Sequence, residues 1–583
     1  FTATVPDHPD TPGDDSFSFT KEPSLIEHKA YRDTWGRGLD SYLQWFYETA
    51  VLLHELLHET GSLYVHLDWH VGHYAKVVLD EVFGHERFVN EIVWKRQTAK
   101  HGAFGGIGQY GQIHETILFY AKSDVWVWNP QYTGYDQQYI EGFYKFVDPK
   151  TGRRYQLGDL TAAGARRGES GAPIRIEGEL VRPPPGRHWA IGLQEGETVQ
   201  DAVDRLLKEG RIWYEPGKMP RLIRYLDEMP GVMLQDVWTD IQPVPAQSRE
   251  RLDYATQKPE ALLERIIKAS SNPGDLVLDC FVGSGTTAAV AEKLGRRWIA
   301  CDLSRFAIHT TRKRLLAIPG VRPFVVQNLG KYERQAWAGA EFGDGESIER
   351  AAARQRAYIE FILQLYHATP VRGYTWLHGV RAGRMVHVGA VDAPVSVGDV
   401  TNIAAEFRKA IGTGQDAPRT NGVDVLGWDF AFELNEVAQQ QAEAANIQMR
   451  FLRIPRDVMD KRAVEQGDVR FFELAALAVE VKTRGREATL RLTDFVIPPD
   501  DVPEEARRAV KHWSQWIDYW AVDWDNQGDT FHNQWQAYRT RQNPKLELET
   551  THTYTAPGEY RVVVKVIDLL GNDTTKTVKV RVK

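Results

Sequence analysis

The segment Asp279-Cys280-Phe281-Val282-Gly283-Ser284-Gly285-Thr286-Thr287 gathers in one run the residue types that a nucleotide-like ligand needs. The apolar residues before it, Leu276 to Leu278, read as a buried strand that delivers Asp279 at its end. Gly283 and Gly285 free the backbone to turn tightly and to come close to a ligand. A helix following such a turn points its unpaired N–H groups at the same place. Asp302 lies about twenty residues on, at the end of the next apolar strand, where a carboxylate accepts hydrogen bonds from ribose hydroxyls. A glycine-rich turn by itself occurs in many nucleotide folds, so its meaning rests on the residues around it.

Two other patterns suggest different chemistry. His54-Glu55-Leu56-Leu57-His58 has the zinc-peptidase spacing, which places two histidines and a glutamate on one helix face, with His66, His70, His73 or Glu81 available as a third ligand. The plainer reading is a set of surface positions on an amphipathic helix that runs on into a strand. Glu480-Val481-Lys482 fits the end of a nuclease signature, with Asp424 or Asp429 as its acid. A strand that alternates apolar and charged residues produces the same triplet. Cys280 and Cys301, the two cysteines, make neither a zinc site alone nor a disulfide scaffold in 583 residues.

These residues need elements to position them. Leu39 to His58 has apolar residues at helical spacing, Ser62 to Leu67 reads as a buried strand, Val71 to Phe83 as a helix closed by Gly84, and Thr116 to Tyr120 as a strand. A helix is expected from Pro259 to Ala269, another through Leu294, and a strand at Trp298 to Cys301, which together make a strand–turn–helix–strand unit. The first thirty residues, rich in Pro, Asp, Ser and Thr, read as a loop. A helix around Glu349 to Tyr366 leads to a second α/β region with strands near Met385 to Val388 and Val423 to Phe432. Tyr560 to Val582 reads as a hairpin around Gly571-Asn572, and Trp513, Trp516, Trp520, Trp524 and Trp535 ahead of it as a packed core.

The length predicts several domains. A charged fraction of 26% and a hydrophobic fraction of 42% describe ordinary soluble material. No apolar run reaches the roughly 18 residues of a membrane span and the start carries no signal sequence, so a cytoplasmic protein is expected. The net charge of −8 means that any nucleic-acid contact must come from local concentrations of Lys and Arg. Lys95, Arg96 and Lys100 form one, and Arg153, Arg154, Arg166, Arg167, Arg175 and Arg182 another; on charge alone, such a stretch is a solvated loop.

Thr256-Gln257-Lys258-Pro259-Glu260, followed by Leu262, Leu263, Ile266 and Ile267, stands just ahead of the glycine turn. With both motifs in this order the chain resembles the beta class of DNA amino-methyltransferases, specifically the modification subunits of Type III-like restriction-modification systems. Tyr31-Arg32-Asp33-Thr34-Trp35, Gly61 to Asp68, Asp80 to Gly84, Ile92 to Lys95, His114 to Tyr120, Gly210 to Ile212 and Trp238 to Ile241 extend the likeness.

The resemblance implies an α/β fold: a mostly parallel, Rossmann-like, S-adenosylmethionine-dependent methyltransferase sheet assembled from residues 31–123 and 251–335. Residues 1–123 would form the catalytic-side half, 124–250 a target-recognition insert, 251–335 the cofactor-binding half, 336–505 a helical linker with an accessory α/β domain, and 506–583 a β-rich C-terminal domain. Asp279 and Phe281 would meet the methionine end and sulfonium of S-adenosylmethionine, Asp302 its ribose, with Gly283, Ser284, Gly285 and Thr286 in the loop. Thr256, Gln257, Lys258 and Pro259 would close the pocket. Lys95, Arg96, Arg153, Arg154, Arg166 and Arg167 would then contact double-stranded DNA.

The implied reaction methylates an exocyclic amine, adenine N6 or cytosine N4 with adenine favoured, and needs neither metal nor covalent nucleophile. Carbon-5 methylation uses a cysteine, typically after a proline, and neither Cys280 nor Cys301 follows one. A helicase or restriction subunit and a second copy are the expected protein partners. The family's catalytic tetrapeptide, Asp-Pro-Pro-Tyr or Asp-Pro-Pro-Phe, is absent, and Pro183-Pro184-Pro185 and Pro498-Pro499 lack its flanking residues. The expectation is a chain that starts just after that loop and is inactive alone, or a dead member that serves as a DNA- and cofactor-binding specificity subunit.

Overall fold

A computed structural model describes the chain except residues 1, 6–16, 21–38, 98–110, 344–347, 412–417, 432–445, 498–501 and 540–544, and positions 167, 246, 249, 253, 255, 468, 503 and 529. The Tyr31 to Trp35 stretch, Lys100 and Arg167 therefore lie outside the described residues.

Helix α1 (Leu39–Leu56) buries Tyr42, Phe46 and Ala50, spaced four apart on one face. It leads to strand β1 (Ser62–Leu67), helix α2 (Gly72–Phe83), and strands β2 (Phe88–Lys95) and β3 (His114–Ala121). The central strand β3 alternates between two cores. Leu118 and Tyr120 pack with Tyr42, Phe46, Leu79 and Phe83, whereas Ile117 and Phe119 pack with Ile92, Trp94, Trp238 and Leu262. A helical layer thus covers each face of this sheet. Its fourth strand, β4 (Val237–Trp238), returns from the far end of the insert and pairs parallel with β2. The pairs β1–β3 and β2–β3 are antiparallel, so the expectation of a mostly parallel sheet is corrected for this half.

Helix α3 (Glu260–Ser270) precedes strand β5 (Leu276–Asp279), helix α4 (Thr286–Lys293), strand β6 (Arg297–Ala300) and helix α5 (Arg305–Leu316). Strands β5 and β6 pair in parallel as their own two-stranded sheet. Helix α3 joins the two pieces: Leu262, with Leu263 and Ile266, packs on β2 and β3, while Ile267 packs on Val290 and Ala291 of α4. Among the described residues β1 and β5 each pair along one edge. Leu276, Leu278 and Ile299, on the face away from α4, are about half exposed, at 52%, 40% and 50%.

The insert is more ordered than its Gly- and Pro-rich texture suggests. It holds a four-stranded antiparallel sheet (Ile212–Trp213, Arg221–Tyr225, Arg154–Asp159, Phe146–Val147) and a helix at Val199–Lys208. Thr198 and Asp201 form a reciprocal cap at the start of that helix, a start signal readable in the sequence. The first thirty residues, expected to be loop, contain Thr2–Val5 and Phe17–Thr20 paired antiparallel. The alternation in Phe17-Ser18-Phe19-Thr20 is a strand signal that outweighs the turn-rich composition around it.

After helix α6 (Gly330–Phe342) and helix α7 (Ile348–Leu365), the second α/β region is a six-stranded sheet whose inner strands β7 (Arg384–Val388), β8 (Gly422–Gly427) and β9 (Gln448–Arg453) are parallel. Tyr358, Ile362 and Leu363 of α7 cover one face and Val400, Ile403 and Phe407 of helix Val397–Ala410 the other. The C-terminal domain packs the sheet Ala476–Arg484, Glu487–Val496, Glu549–Thr553 against one built from Trp535–Tyr538, β10 (Ile517–Asp523), β11 (Gly558–Asp568) and β12 (Asp573–Val582). Leu477, Leu490 and Leu492 share a core with Trp516, Trp520 and Trp524, so the expected boundary near residue 506 falls inside this domain, which starts near 476. No helix among the described residues is long and apolar enough to cross a membrane.

The C-terminal domain docks on α5. Asp518 of β10 accepts hydrogen bonds from His309 Nε2 at 2.7 Å and Lys313 Nζ at 2.8 Å. Burial alone would raise the Asp518 pKa, but Lys313 and His309 outweigh it and hold the carboxyl well below its usual range. Burial lowers His309, with Asp518 opposing. Asp518→Asn is expected to cost on the order of 3 kcal/mol by leaving Lys313 unanswered in a largely buried contact, read as a lower urea midpoint. Because the folded His309 pKa lies below its ordinary 6.5, its stabilisation is complete above that value and declines as pH falls through it. Urea midpoints should therefore fall between pH 7.5 and pH 5, roughly, and fall further where carboxylates such as Asp518 protonate.

Candidate functional site

The turn between β5 and α4 is stitched to the end of β6. Cys301 N donates to the Asp279 carbonyl at 2.9 Å, and Val282 N to the Cys301 carbonyl at 2.9 Å. The Asp279 carboxylate is held from inside the loop, with Oδ1 accepting from Phe281 N at 3.0 Å and Oδ2 from the Thr287 hydroxyl at 2.6 Å. Gly283 has φ 53° and Gly285 φ 77°, both in the left-handed region. A Cβ on Gly285 would lie 2.7 Å from Thr311 Oγ1, so space as well as conformation demands glycine there.

Gly283 N donates to Asp302 Oδ2 at 2.9 Å, which couples the turn to the carboxylate at the end of the next strand. Asp302 Oδ1 accepts from Ser304 N at 2.9 Å. Burial raises the Asp302 pKa. Each oxygen of Asp279 and Asp302 keeps a lone pair beyond these bonds, so both carboxylates can still accept from a ligand. Phe281 is 59% exposed beside the loop, and its ring meets Trp45 of α1 edge-on at 5.6 Å. Ser284 and Thr286 are buried: the Thr286 hydroxyl donates to the Lys258 carbonyl at 3.0 Å and accepts from Arg314 at 2.9 Å. Their side chains hold the loop from behind.

The Thr256 to Pro259 segment is anchored on both sides. Gln257 accepts from Leu252 N at 2.8 Å and donates to the Glu250 carbonyl at 2.7 Å, which folds the segment on itself, while Thr256 is exposed. Lys258 Nζ donates to Glu115 Oε2 at 2.7 Å. Glu115 is also paired with His66 Nε2 at 2.6 Å and bonded to Arg96. Burial would raise the Glu115 pKa, yet His66 and then Lys258 outweigh it and keep the carboxyl well below its usual range. Sequence reasoning placed Glu115 only within the family-like stretch His114 to Tyr120, just before the expected strand; the signal was a charged residue at the edge of an apolar run. Tyr254 was also missed. Its ring lies 3.5 Å from where a Cβ on Gly283 would stand and stacks on Phe306.

The basic residues are dispersed in their roles. Lys95 ends β2, half-buried, and Arg96 beside it is tied to Glu115. The Arg153 guanidinium bonds Asp227 and Glu228 at 2.9 Å and 2.6 Å and lies 3.8 Å over the Tyr225 ring, which fixes it within the insert. Arg154, Arg166, Arg175 and Arg182 are exposed.

The rival patterns do not assemble. His54 lies edge-on to Phe83 with Nδ1 3.3 Å from Lys122 Nζ, His58 bonds Thr60 at 2.9 Å, and among the described residues no three His, Cys, Asp or Glu side chains are grouped to hold a metal ion. Asp424 is taken by Arg384, Arg450 and Tyr366 within the second α/β sheet, whereas Glu480 pairs with Lys482 in the C-terminal sandwich.

Residues 17–313 match the DNA methylase family N6_N4_Mtase. The chain is 32% identical over 274 residues to the Type II methyltransferase M.EcaI of Enterobacter cloacae, covering 47% of this chain and 57% of the relative. It is 27% identical over 288 residues to the StyLTI Mod subunit, a Type III restriction-modification enzyme of Salmonella typhimurium, covering 46% and 42%. To the DNA adenine methyltransferase YhdJ of Escherichia coli it is 27% identical over 281 residues, covering 47% and 67%. It thus spans 57% and 42% of the length of the first two. The family match takes in slightly more than half of the 583 residues, including both sheet pieces, the insert and the anchored loops, and the chain belongs to the N6/N4 DNA methylase family.

Proposed function

We propose that this chain is the cofactor- and DNA-binding body of a site-specific DNA methyltransferase that transfers a methyl group from S-adenosylmethionine to an exocyclic amine, adenine N6, within a restriction-modification or phage-defence system. The observation that carries the reading is the pair of carboxylates, Asp279 and Asp302, fixed on either side of a turn whose glycines have positive φ and that opens helix α4. S-adenosylmethionine presents two cationic centres and a ribose diol, and this donor-rich ligand fits an acceptor set of that kind. When bound, it supplies a methyl group activated by the sulfonium.

This chain's residues bind and orient. Asp279 would accept from the ammonium end, the exposed Phe281 ring would attract the sulfonium, Asp302 would accept from the ribose, and Thr256, Gln257, Lys258 and Pro259 would border the cofactor. Exposed Arg154 and Arg166 of the insert, with Lys95 and Arg96 at the end of β2, supply phosphate contacts to double-stranded DNA. Adenine is favoured by the relative that bears that specificity in its name. A restriction or helicase subunit as partner is favoured by the Mod subunit relative.

Exocyclic-amine chemistry also requires the base to be flipped out and held in line with the methyl. The Asp-Pro-Pro-Tyr/Phe loop that would do this occurs nowhere in the 583 residues. Among the described residues β1 and β5 each have one unpaired edge, and a strand carrying that loop would add there, next to exposed Leu276, Leu278 and Phe281.

Calorimetric titration with S-adenosylmethionine should give saturable binding that Asp279→Ala weakens by about tenfold to a hundredfold, the worth of one charge-assisted hydrogen bond; an unchanged isotherm in the mutant would refute the site. Glu115→Gln should lower stability by on the order of 3 kcal/mol and also weaken cofactor binding, because Lys258 loses its anchor. Incubated with tritiated cofactor and duplex DNA, the chain by itself should leave the DNA unlabelled. Label in the DNA would show that turnover does not need the tetrapeptide.

A further inference from the structure

Helix α7 ends where the sheet face beneath it turns from apolar to charged. Val386, Val388, Leu426 and Leu452 pack with Tyr358, Ile362 and Leu363 of the helix. Two residues earlier on each strand the same face carries Arg384 of β7, Asp424 of β8 and Arg450 of β9. The buried Asp424 carboxylate accepts from Arg384 Nε at 2.6 Å, from Arg450 Nη2 at 2.8 Å and from the Tyr366 hydroxyl at 2.9 Å. Tyr366, the first residue past the helix, is itself buried.

Tyr366 also lines an open pocket of about 360 Å³, together with His367, Arg381, Arg470 and Phe471. The Arg381 guanidinium lies 4.1 Å over the Tyr366 ring, and Phe471 meets that ring edge-on at 4.9 Å. Arg381 and Arg470 are exposed, and neither pairs with a carboxylate among the described residues. No Asp or Glu lines the pocket. Glu473, which is exposed, is the other carboxylate that acts on Arg450. The arginines around Tyr366 thus outnumber their carboxylates. His367 closes α7 with φ 54°, while Ala368 N bonds the Leu363 carbonyl at 2.8 Å and His367 N the Gln364 carbonyl at 3.0 Å. Glycine is the usual residue at such a left-handed helix end. Here a side chain stands there instead, and it borders the pocket.

A guanidinium held by an aromatic ring rather than by a carboxylate keeps N–H donors for a ligand. With Arg470 in the same cavity and no acid in its lining, the pocket favours an anion, and guanidinium forks match phosphate oxygens. Tyr366 and Phe471 add an aromatic wall, the surface on which a flat base stacks. The volume stands at the small end of the roughly 300–1,000 Å³ of ligand pockets, which suits one nucleotide and not a folded partner. We propose that this pocket binds a free mononucleotide, its phosphate held by Arg381 and Arg470 with His367, and its base against Phe471. Every residue of the pocket lies beyond residue 313, where the methylase family match ends, and the site does not depend on methyl transfer.

The test is calorimetric titration of the full chain with adenosine monophosphate and uridine monophosphate, with excess S-adenosylhomocysteine present to fill the cofactor loop. At least one nucleotide should bind saturably, about tenfold more tightly than inorganic phosphate or its own nucleoside. Arg381→Gln and Arg470→Gln should each weaken that binding by about tenfold to a hundredfold, the worth of one charge-assisted hydrogen bond. His367→Gly should weaken it by about threefold to tenfold. Its thermal unfolding midpoint should stay the same or rise, because glycine suits that backbone, so its weaker binding is not misfolding. No saturable binding by wild type, or wild-type affinity in all three variants, would overturn the proposal. Inorganic phosphate binding as tightly as the nucleotides would overturn it as well.

Discussion

Glu115 is a charge placed where water does not reach, and most of the site's architecture follows from how it is answered. A buried carboxylate is tolerated only when protein groups replace its hydration. Here they come from three places: His66 on β1, Arg96 at the end of β2, and Lys258 from the loop before α3. The first two belong to one sequence segment and the third to another, with the insert between them. Satisfying one carboxylate therefore brings the two segments into register. The bond from Thr286 to the Lys258 carbonyl carries that register into the glycine turn.

Behind this anchor the loop divides its labour. Ser284, Thr286 and Arg314 are buried and spent on one another and on neighbouring backbone, so they set the shape of the turn. Asp279 and Asp302 are held by backbone donors and keep acceptor capacity on the open side, where Phe281 and Trp45 are exposed. Rigidity at the back and unspent acceptors at the front are what a binding site needs, because a preorganised site loses less entropy on binding. The insert repeats this arrangement: its own core of Ile174, Ile176, Trp189 and Val203 supports exposed Arg154, at the start of a strand, and exposed Arg166.

Helix α5 connects this site to the rest of the molecule. It starts just past Asp302, and its His309 and Lys313 hold Asp518 of the C-terminal sandwich. The C-terminal domain is thus joined to the helix that follows the glycine turn by buried and partly buried charges. Such contacts are specific in geometry even where their net stabilisation is modest.

Local elements were legible in the residues alone. Helical spacing of Tyr42, Phe46 and Ala50 and the glycines at 283 and 285 specify their structures through short-range sterics and burial, and each stands where expected; the apolar run at Leu276 forms its strand, but Leu276 and Leu278 are about half exposed rather than buried. The cofactor motif was legible for the same reason, since its residues lie within one turn and the next strand. The antiparallel pairings of β3, the independent core of the insert, the sandwich beginning near 476 and the capture of Arg153 by Asp227 came from long-range packing. So did the role of Glu115. A charge's role depends on which opposite charge the fold brings within a few ångströms, and those partners come from positions that no local pattern links.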